Sequence, residues 1–292
     1  MHPVECRELS KRYRERSALA GVTMHVPEGS ITAVVGENGA GKTTLLRLVV
    51  GLMRPTSGTV SLWGMDPRVK PEVRERLGYV PERPALDRRF TGDDLARLSL
   101  RVRRRFSLAA YARAMDELDV DGSRKVDELS KGMQTRLALA LALAQEPDLM
   151  VLDEPTEGLD PLVRRRVLAE LIGLAAGFGA TVLFTAHVLG EVERVADRVI
   201  VLVGGRCRLE APLHELRASE HMVRLRFDAV PSPATLRALA GVRSVHVDGD
   251  VAHVHYSGPP ELLLAMSGAR EVLGAEAMDL ESVYLSFVEG RA

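Results

Sequence analysis

ITAVVGENGAGKTTLLRLVV occupies residues 31–50. Ile31, Ala33 and Val35 alternate as a half-buried strand does, and a glycine-rich loop follows at once. A helix is expected from Lys42 to about Val50, ended by the turn-forming RPTSG at 54–58. Between strand and helix, Gly36, Glu37, Asn38, Gly39, Ala40, Gly41, Lys42 and Thr43 match G-x-x-x-x-G-K-[ST] without a mismatch. Glycines let backbone N–H groups curl around phosphate oxygens, and the helix aims its positive end at the same anion. Lys42 would add a point charge for the β- and γ-phosphates, and Thr43 would hold Mg²⁺.

The rest of the chain supplies what such a loop needs. Leu149-Met150-Val151-Leu152 reads as a short buried strand that ends in two carboxylates, Asp153 and Glu154. Asp153 would bind Mg²⁺, mostly through water. Glu154 follows at the strand's exit, where a loosening backbone can redirect its side chain to orient a water or accept its proton. The alternative is a plain pair of helix-capping carboxylates. Further strands are expected at 22–26, 59–63, 181–185 and 199–203, and helices dominate from about Arg83 to Ala144 and over 162–176. Strands and helices alternating around a phosphate loop predict an α/β P-loop NTPase cassette with a mostly parallel core sheet. An antiparallel β subdomain and a helical subdomain at about 83–144 complete it.

Near residue 218 the pattern changes. MVRLRF at 222–227 reads as strand, PATLRALAG at 233–241 as helix, and VRSVHVDGDVAHVHY at 242–256 as a hairpin around Asp248-Gly249-Asp250. PELLLAMSG at 260–268 reads as helix, a strand is expected near Val272, and LESVYLSFVEG at 280–290 closes as helix. The order β-α-β-β-α-β predicts a small α+β domain at 219–292 behind an ATP-binding domain at 1–218.

Composition narrows the class. The 292 residues are 46% hydrophobic and 27% charged, with a formal net charge of -1, so no global field draws the chain to nucleic acid. Cys6 and Cys207 make no disulfide framework, which fits a reducing compartment. The opening MHPVECRELSKRYRERS lacks an apolar signal core. The longest uncharged run, Leu171 to Ala186, approaches the roughly 17 residues of a membrane span. Gly177 and Gly179 break that run, so any membrane role is expected to need a separate subunit.

With GENGAGKTT at 36–44, LSKGMQ at 129–134, LMVLDEP at 149–155, EGLDP at 157–161 and TAHVLGEVERVADRV at 185–199, residues 4–215 resemble the ATP-binding-cassette transporter family. The motifs stand in that family's order. The resemblance extends the phosphate cradle to Thr44 and the signature through Ser130, Lys131, Gly132 and Gln134. It makes His187 the switch histidine on the γ-phosphate, Asp160 a support of the subunit interface and Tyr13 the ring stacked on adenine. It implies two cassettes facing head to tail, each ATP lying between one cradle and the other subunit's signature. Ser130 and Gly132 would then serve the neighbour's nucleotide, with the dipole of the helix behind them. The Leu-Ala alternation behind the signature has strong helix formers, no β-branched interruption and Pro147 after its end, so it is expected to be helix.

Two positions depart from the family. Glu82, in LGYVPERP at 77–84, stands where glutamine is usual. An anion about 6 Å from a phosphate charge costs roughly 3 kcal/mol at an effective dielectric of 20, and Mg²⁺ between them reverses the sign. Glu82 is therefore either a metal-shell ligand or turned away until closure. Lys131 replaces the usual second signature glycine. It either meets the γ-phosphate or is solvated, and similar Ser-Lys-Gly-Met signatures occur in cassettes of drug and antibiotic exporters. The C-terminal extension also resembles those single-cassette exporter ATPases.

The resemblance implies an ATP-hydrolysing subunit that uses ATP and Mg²⁺ and pairs with a second, homodimeric copy. It would drive a separate transmembrane permease from the cytoplasmic face of the membrane, with no nucleic-acid partner. The competing classes are a soluble cassette ATPase acting on nucleic acid or ribosomes, and a non-catalytic ATP-gated regulator. Arg97, Arg101, Arg103, Arg104 and Arg105 form a basic stretch that meets the membrane subunit, lipid headgroups or only solvent. His246, His253 and His255 could share one face of the C-terminal hairpin and bind zinc if its register allows.

Overall fold

The computed structural model describes residues 2–157, 168–170, 172–173 and 176–289. The chain divides into two compact units, Met1–Glu210 and Ala211–Ala292. The sequence places this boundary later, near residue 218.

Two sheets form the first unit. Strands β1 (Val4–Tyr13), β2 (Arg16–Val26) and β4 (Ser57–Leu62) make an antiparallel sheet in the order β2-β1-β4. The larger sheet has the order β5-β6-β7-β3-β8-β9. Its strands are β3 (Ile31–Val35), β5 (Leu77–Val80), β6 (Leu149–Leu152), β7 (Thr181–Ala186), β8 (Arg198–Val203) and β9 (Arg206–Pro212). All pairings from β5 through β8 are parallel. Every residue of β6 and β7 is buried, so these strands read as unbroken apolar runs rather than alternating ones.

Helix α1 (Lys42–Val49) is too short to be stable alone and is held by packing. Leu45, Leu46 and Leu48 are fully buried in one cluster with Val4, Leu9 and Leu19 of the antiparallel sheet and Val34, Leu183 and Ile200 of the parallel one. Each buried leucine contributes about 1.5–3 kcal/mol. The helix behind the phosphate loop is thereby wedged between two sheets, which fixes where its N-terminus points.

The helical segment holds α2 (Gly92–Val102), α3 (Leu108–Glu117) and α4 (Lys131–Leu143). Thr91 and Asp94 form a reciprocal capping box at the start of α2. The Leu-Ala run is helix as expected, with Leu137, Leu139, Ala140 and Leu143 buried, so apolar residues all round the helix meet protein rather than water. The basic stretch is not one helical face. Arg97 pairs with Asp94 in α2, the helix ends at Val102, and Arg105 bonds Asp148 and the Glu146 carbonyl.

Most of the expected helix over 162–176, and Asp160 before it, lie outside the described residues. The end of the long uncharged run, Thr181–Ala186, is strand β7. No described helix is long and apolar enough to cross a membrane.

The second unit is a four-stranded antiparallel sheet in the order β11-β12-β10-β13. Along the chain it runs β10 (Glu220–Arg226), α7 (Pro233–Arg237), β11 (Val242–Asp248), β12 (Val251–Ser257), α8 (Pro260–Ser267), β13 (Glu271–Ala277) and α9 (Leu280–Glu289), after α5 (Leu189–Val195) and α6 (Leu213–Ser219). Val223, Leu225, Val254, Leu236 and Leu263 form its core. The hairpin register sets His246 opposite His253, their rings 6.3 Å apart. His255 is fully buried and has both ring nitrogens engaged, by Glu220 and Ser286. Among the described residues no metal-competent cluster includes these three histidines.

Candidate active site

The parallel register decides which residues meet. Val35 pairs with Ala186, and Leu152 pairs with Phe184. Gly36, Asp153 and His187 therefore leave neighbouring strands β3, β6 and β7 at the same carboxyl edge, the edge at which open α/β sheets bind ligands. The loop after β3 is tightly fitted. A Cβ on Gly36 would lie 2.3 Å from the Leu202 carbonyl oxygen, and one on Gly41 would lie 2.5 Å from that of Ala18. Gly41 also caps α1 at φ 105, a left-handed conformation that favours glycine. Lys42, 6% exposed, donates to the carbonyls of Gly36 at 2.6 Å and Glu37 at 3.3 Å.

Asp153 is buried at the end of β6. Its Oδ1 accepts from Thr43 Oγ1 at 3.1 Å and from Thr185 Oγ1 at 2.9 Å. Burial pushes its carboxyl above the ordinary value; the two threonine hydrogen bonds oppose that, and the charges of Glu154 and Glu82 add to it. Among the described residues no hydrogen-bond donor reaches the buried Oδ2. A buried carboxylate oxygen without a donor, beside a threonine hydroxyl and two further carboxylates, fits a hard divalent cation.

Glu154 departs from the strand. Its φ of 45 is left-handed, uncommon for a residue with a side chain, and its N–H donates to Thr185 Oγ1 at 2.8 Å. The turn swings the carboxylate back over the phosphate loop. Oε1 lies 3.1 Å from Lys42 Nζ, and Oε2 lies 2.8 Å from His187 Nδ1. Glu157 Oε2 approaches the same ring nitrogen at 3.7 Å.

A cavity of about 490 Å³ opens over this edge. It is lined by Tyr13, Arg16, Ala18, Glu37, Asn38, Gly39, Gly41, Lys42, Thr43, Thr44, Glu82 and Glu154. Tyr13 is 42% exposed there and donates to Met53 Sδ at 3.3 Å. Glu82 sits 3.5 Å from the exposed Arg83 guanidinium. Arg16 and Ala18 escape sequence reasoning. The available signal was the tight β1–β2 hairpin, whose register sets Arg16 opposite Tyr13. A larger cavity of about 790 Å³, lined by Arg113, Glu117, Glu146 and Phe178, contains none of the expected site residues.

The signature residues lie apart from the phosphate cavity. Ser130 caps α4 by accepting from Met133 N–H at 3.3 Å. Lys131 Nζ donates to the Glu157 carbonyl at 2.6 Å. Gln134 Nε2 donates to the carbonyls of Val126 and Leu129, so its amide closes the loop ahead of α4 instead of facing the cavity. Neither these three nor Gly132 lines the cavity that holds Lys42 and Glu154.

The geometry gathers a phosphate loop, a buried carboxylate and a histidine–glutamate pair at one sheet edge, away from the signature residues. A family model described as ABC transporter matches residues 19–157. Nod factor export ATP-binding protein I of Burkholderia lata is 36% identical over 282 residues, covering 91% of this chain and 90% of its own. Daunorubicin resistance ATP-binding protein DrrA3 of Streptomyces coeruleorubidus is 40% identical over 214 residues, covering 71% and 67%. Among solved structures, an ATP-binding subunit of an ABC transporter superposes with a TM-score of 0.65 at 31% identity, covering 74% of this chain and 92% of that one. A dimeric ATP-binding cassette in a post-hydrolysis state with ADP and Pi superposes with a TM-score of 0.64 at 25% identity, covering 72% and 98%. The chain belongs to the ABC transporter family, as its ATP-binding ATPase cassette. The resemblance drawn from the motifs and the expected fold class both hold.

Proposed function

We propose that the chain hydrolyses ATP at the cavity over the carboxyl edge of β3, β6 and β7, and that a second copy completes each site. The observation that carries this reading is the convergence of Lys42, Asp153, Glu154 and His187 from three separate segments. The Lys42 ammonium binds the β- and γ-phosphates, and Tyr13 stacks on the adenine. An incoming phosphate competes with Glu154 for Lys42 and leaves Glu154 held by His187. Water attacks the γ-phosphorus, the bond to the β-phosphate oxygen breaks, and Glu154 takes the water's proton. His187 positions that carboxylate and the γ-phosphate. Thr43, Asp153 and Glu82 would hold Mg²⁺, which supplies charge neutralisation at the phosphates when bound.

Ser130 and Gly132 at the exposed start of α4 provide a hydroxyl and N–H groups to the partner's nucleotide. Asp160, outside the described residues, falls in the motif that supports this interface. Closure on two ATP and reopening after hydrolysis drive a separate membrane-embedded permease. The relatives named for export of Nod factor and for daunorubicin resistance favour the export direction, and the chain acts at the inner face of the membrane. The unit after Glu210 is an appended α+β domain outside the cassette.

The test is Glu154→Gln. With ATP it accumulates a dimer by light scattering while phosphate release nearly stops. A wild-type protein that stays monomeric under the assay and still turns over at full rate would overturn the shared site. Co-purification with the permease and stimulation of phosphate release by its substrate test the coupling.

A further inference from the structure

We infer that Lys131 is a positioning residue for the Glu154 of its own subunit, tying the start of α4 to the turn that carries the catalytic carboxylate. The inference rests on the shared-site reading above.

Lys131 occupies the first position of α4, where the helix dipole disfavours a cation, and the first turn holds no acidic residue to offset it. Its ammonium instead donates to the Glu157 carbonyl oxygen at 2.6 Å, a short contact from a charged donor. The Glu157 N–H donates to the Glu154 carbonyl at 3.0 Å and so closes the turn 154–157. That turn keeps Glu154 at φ 45, a conformation that persists only where the surroundings hold it. On the other side the Glu154 N–H is held by Thr185 Oγ1, which is itself bonded to Asp153. Lys131 thus stands at the outer end of one hydrogen-bonded path to the carboxylate. Glu157 Oε2 also lies 3.7 Å from His187 Nδ1, so the same turn touches both partners of the catalytic pair.

Glycine, the residue usual at this signature position, cannot make the link. One helix start then does two things: Ser130 and Gly132 face the neighbour's phosphate, and Lys131 reaches back to the subunit's own reaction centre. Contact of the signature with one nucleotide is thereby coupled to the geometry of Glu154 at the other.

Mixed dimers with a single competent site separate this from a phosphate contact across the interface. One chain carries Glu154→Gln and the other supplies the working Glu154. Lys131→Met on the chain with the working Glu154 should lower kcat about tenfold with KM for ATP unchanged, and Lys131→Arg there should restore it. Lys131→Met on the Glu154→Gln chain should leave kcat within about twofold of the control. The reverse pattern, equal losses in both arrangements, or no loss in either overturns the inference. Ser130→Arg on the Glu154→Gln chain is the control, and it should silence the working site. If that control stays active, the shared-site reading fails. Lys131 is then judged in the wild-type background, where an unchanged kcat for Lys131→Met overturns the tether and a lowered one supports it.

Discussion

Two histidine–glutamate pairs of nearly equal length have opposite settings in this protein. His187 Nδ1 lies 2.8 Å from Glu154 Oε2, and His255 Nε2 lies 2.6 Å from Glu220 Oε2. The first pair is 31% and 11% exposed, at the rim of a cavity, with Lys42 on the second glutamate oxygen. The second is 0% and 3% exposed, in the C-terminal unit, with Arg243 on the other glutamate oxygen at 3.4 Å. Ser286 Oγ takes the remaining His255 nitrogen at 2.7 Å and donates its own proton to the Val283 carbonyl. Both ring nitrogens of His255 therefore face acceptors, and nothing can reach them. The distance between the partners does not distinguish chemistry from architecture; access does. A pair that substrate and water can enter is available for proton transfer, and a sealed pair ties β10, β12 and α9 together.

The comparison is tested most severely by the same substitution at both sites. Glu154→Gln should lower turnover by about 10²–10⁴, the usual contribution of a positioned base, while leaving the unfolding of the C-terminal unit unchanged. Glu220→Gln should do the reverse. Removing one charge of a buried pair costs about 3–5 kcal/mol, because the partner is left uncompensated. The measurement is denaturant unfolding of the full chain followed by near-ultraviolet signals of the C-terminal tyrosines, alongside phosphate release at saturating ATP. A Glu220→Gln protein with native stability and lost turnover would remove the distinction.

How far the two pairs were legible in the sequence follows the same division. The phosphate loop is one contiguous string with a strand before it and a helix after it, so local spacing suffices to recognise it. Glu154 and His187 stand 33 apart in the chain and meet only because β6 and β7 are neighbours in the sheet. Family order set His187 on the γ-phosphate and local sequence set Glu154 on the water, but neither paired them; periodicity could not either, since both strands are uniformly buried. Glu220 carried no signal, because a single carboxylate at the head of a strand reads as a solvated end. Two threonine and serine contacts were equally invisible: Thr185 against Asp153 and Ser286 against His255 depend on tertiary placement alone. The hairpin order of the C-terminal unit was readable from turn residues and alternation, but not which histidine points inward.

Acid sharpens the comparison further. Burial pushes the Glu220 carboxyl up, yet the hydrogen bond and charge of His255, with Ser257 and Arg243, outweigh it and hold the group below its ordinary 4.5. A carboxyl lowered in the folded state contributes stability that is fully present above its unfolded value and is lost as pH falls through the folded one. The C-terminal unit should therefore lose stability as the solution is acidified below about pH 4.5. Glu220→Gln should flatten that slope, whereas Glu154→Gln should not alter the transition of this unit. Equilibrium unfolding at a series of acidic pH values measures it, and parallel slopes for wild type and Glu220→Gln would contradict the assignment.

The smallest expected effect separates the roles of the two groups that hold His255. Ser286→Ala removes the acceptor at Nδ1 and the donor to the Val283 carbonyl but keeps the Glu220 charge at Nε2, so the ring remains paired through Glu220. An unmet buried donor costs about 1–3 kcal/mol, and the value here should fall near the lower end because α9 is partly exposed on that side. Combining Ser286→Ala with Glu220→Gln should cost less than the sum of the single changes. Once Glu220 no longer fixes the ring, the serine has less to orient, and contacting residues of one network couple in this way. Strict additivity would show that Ser286 and Glu220 act on α9 and the sheet independently, and that the ring is not the joint between them.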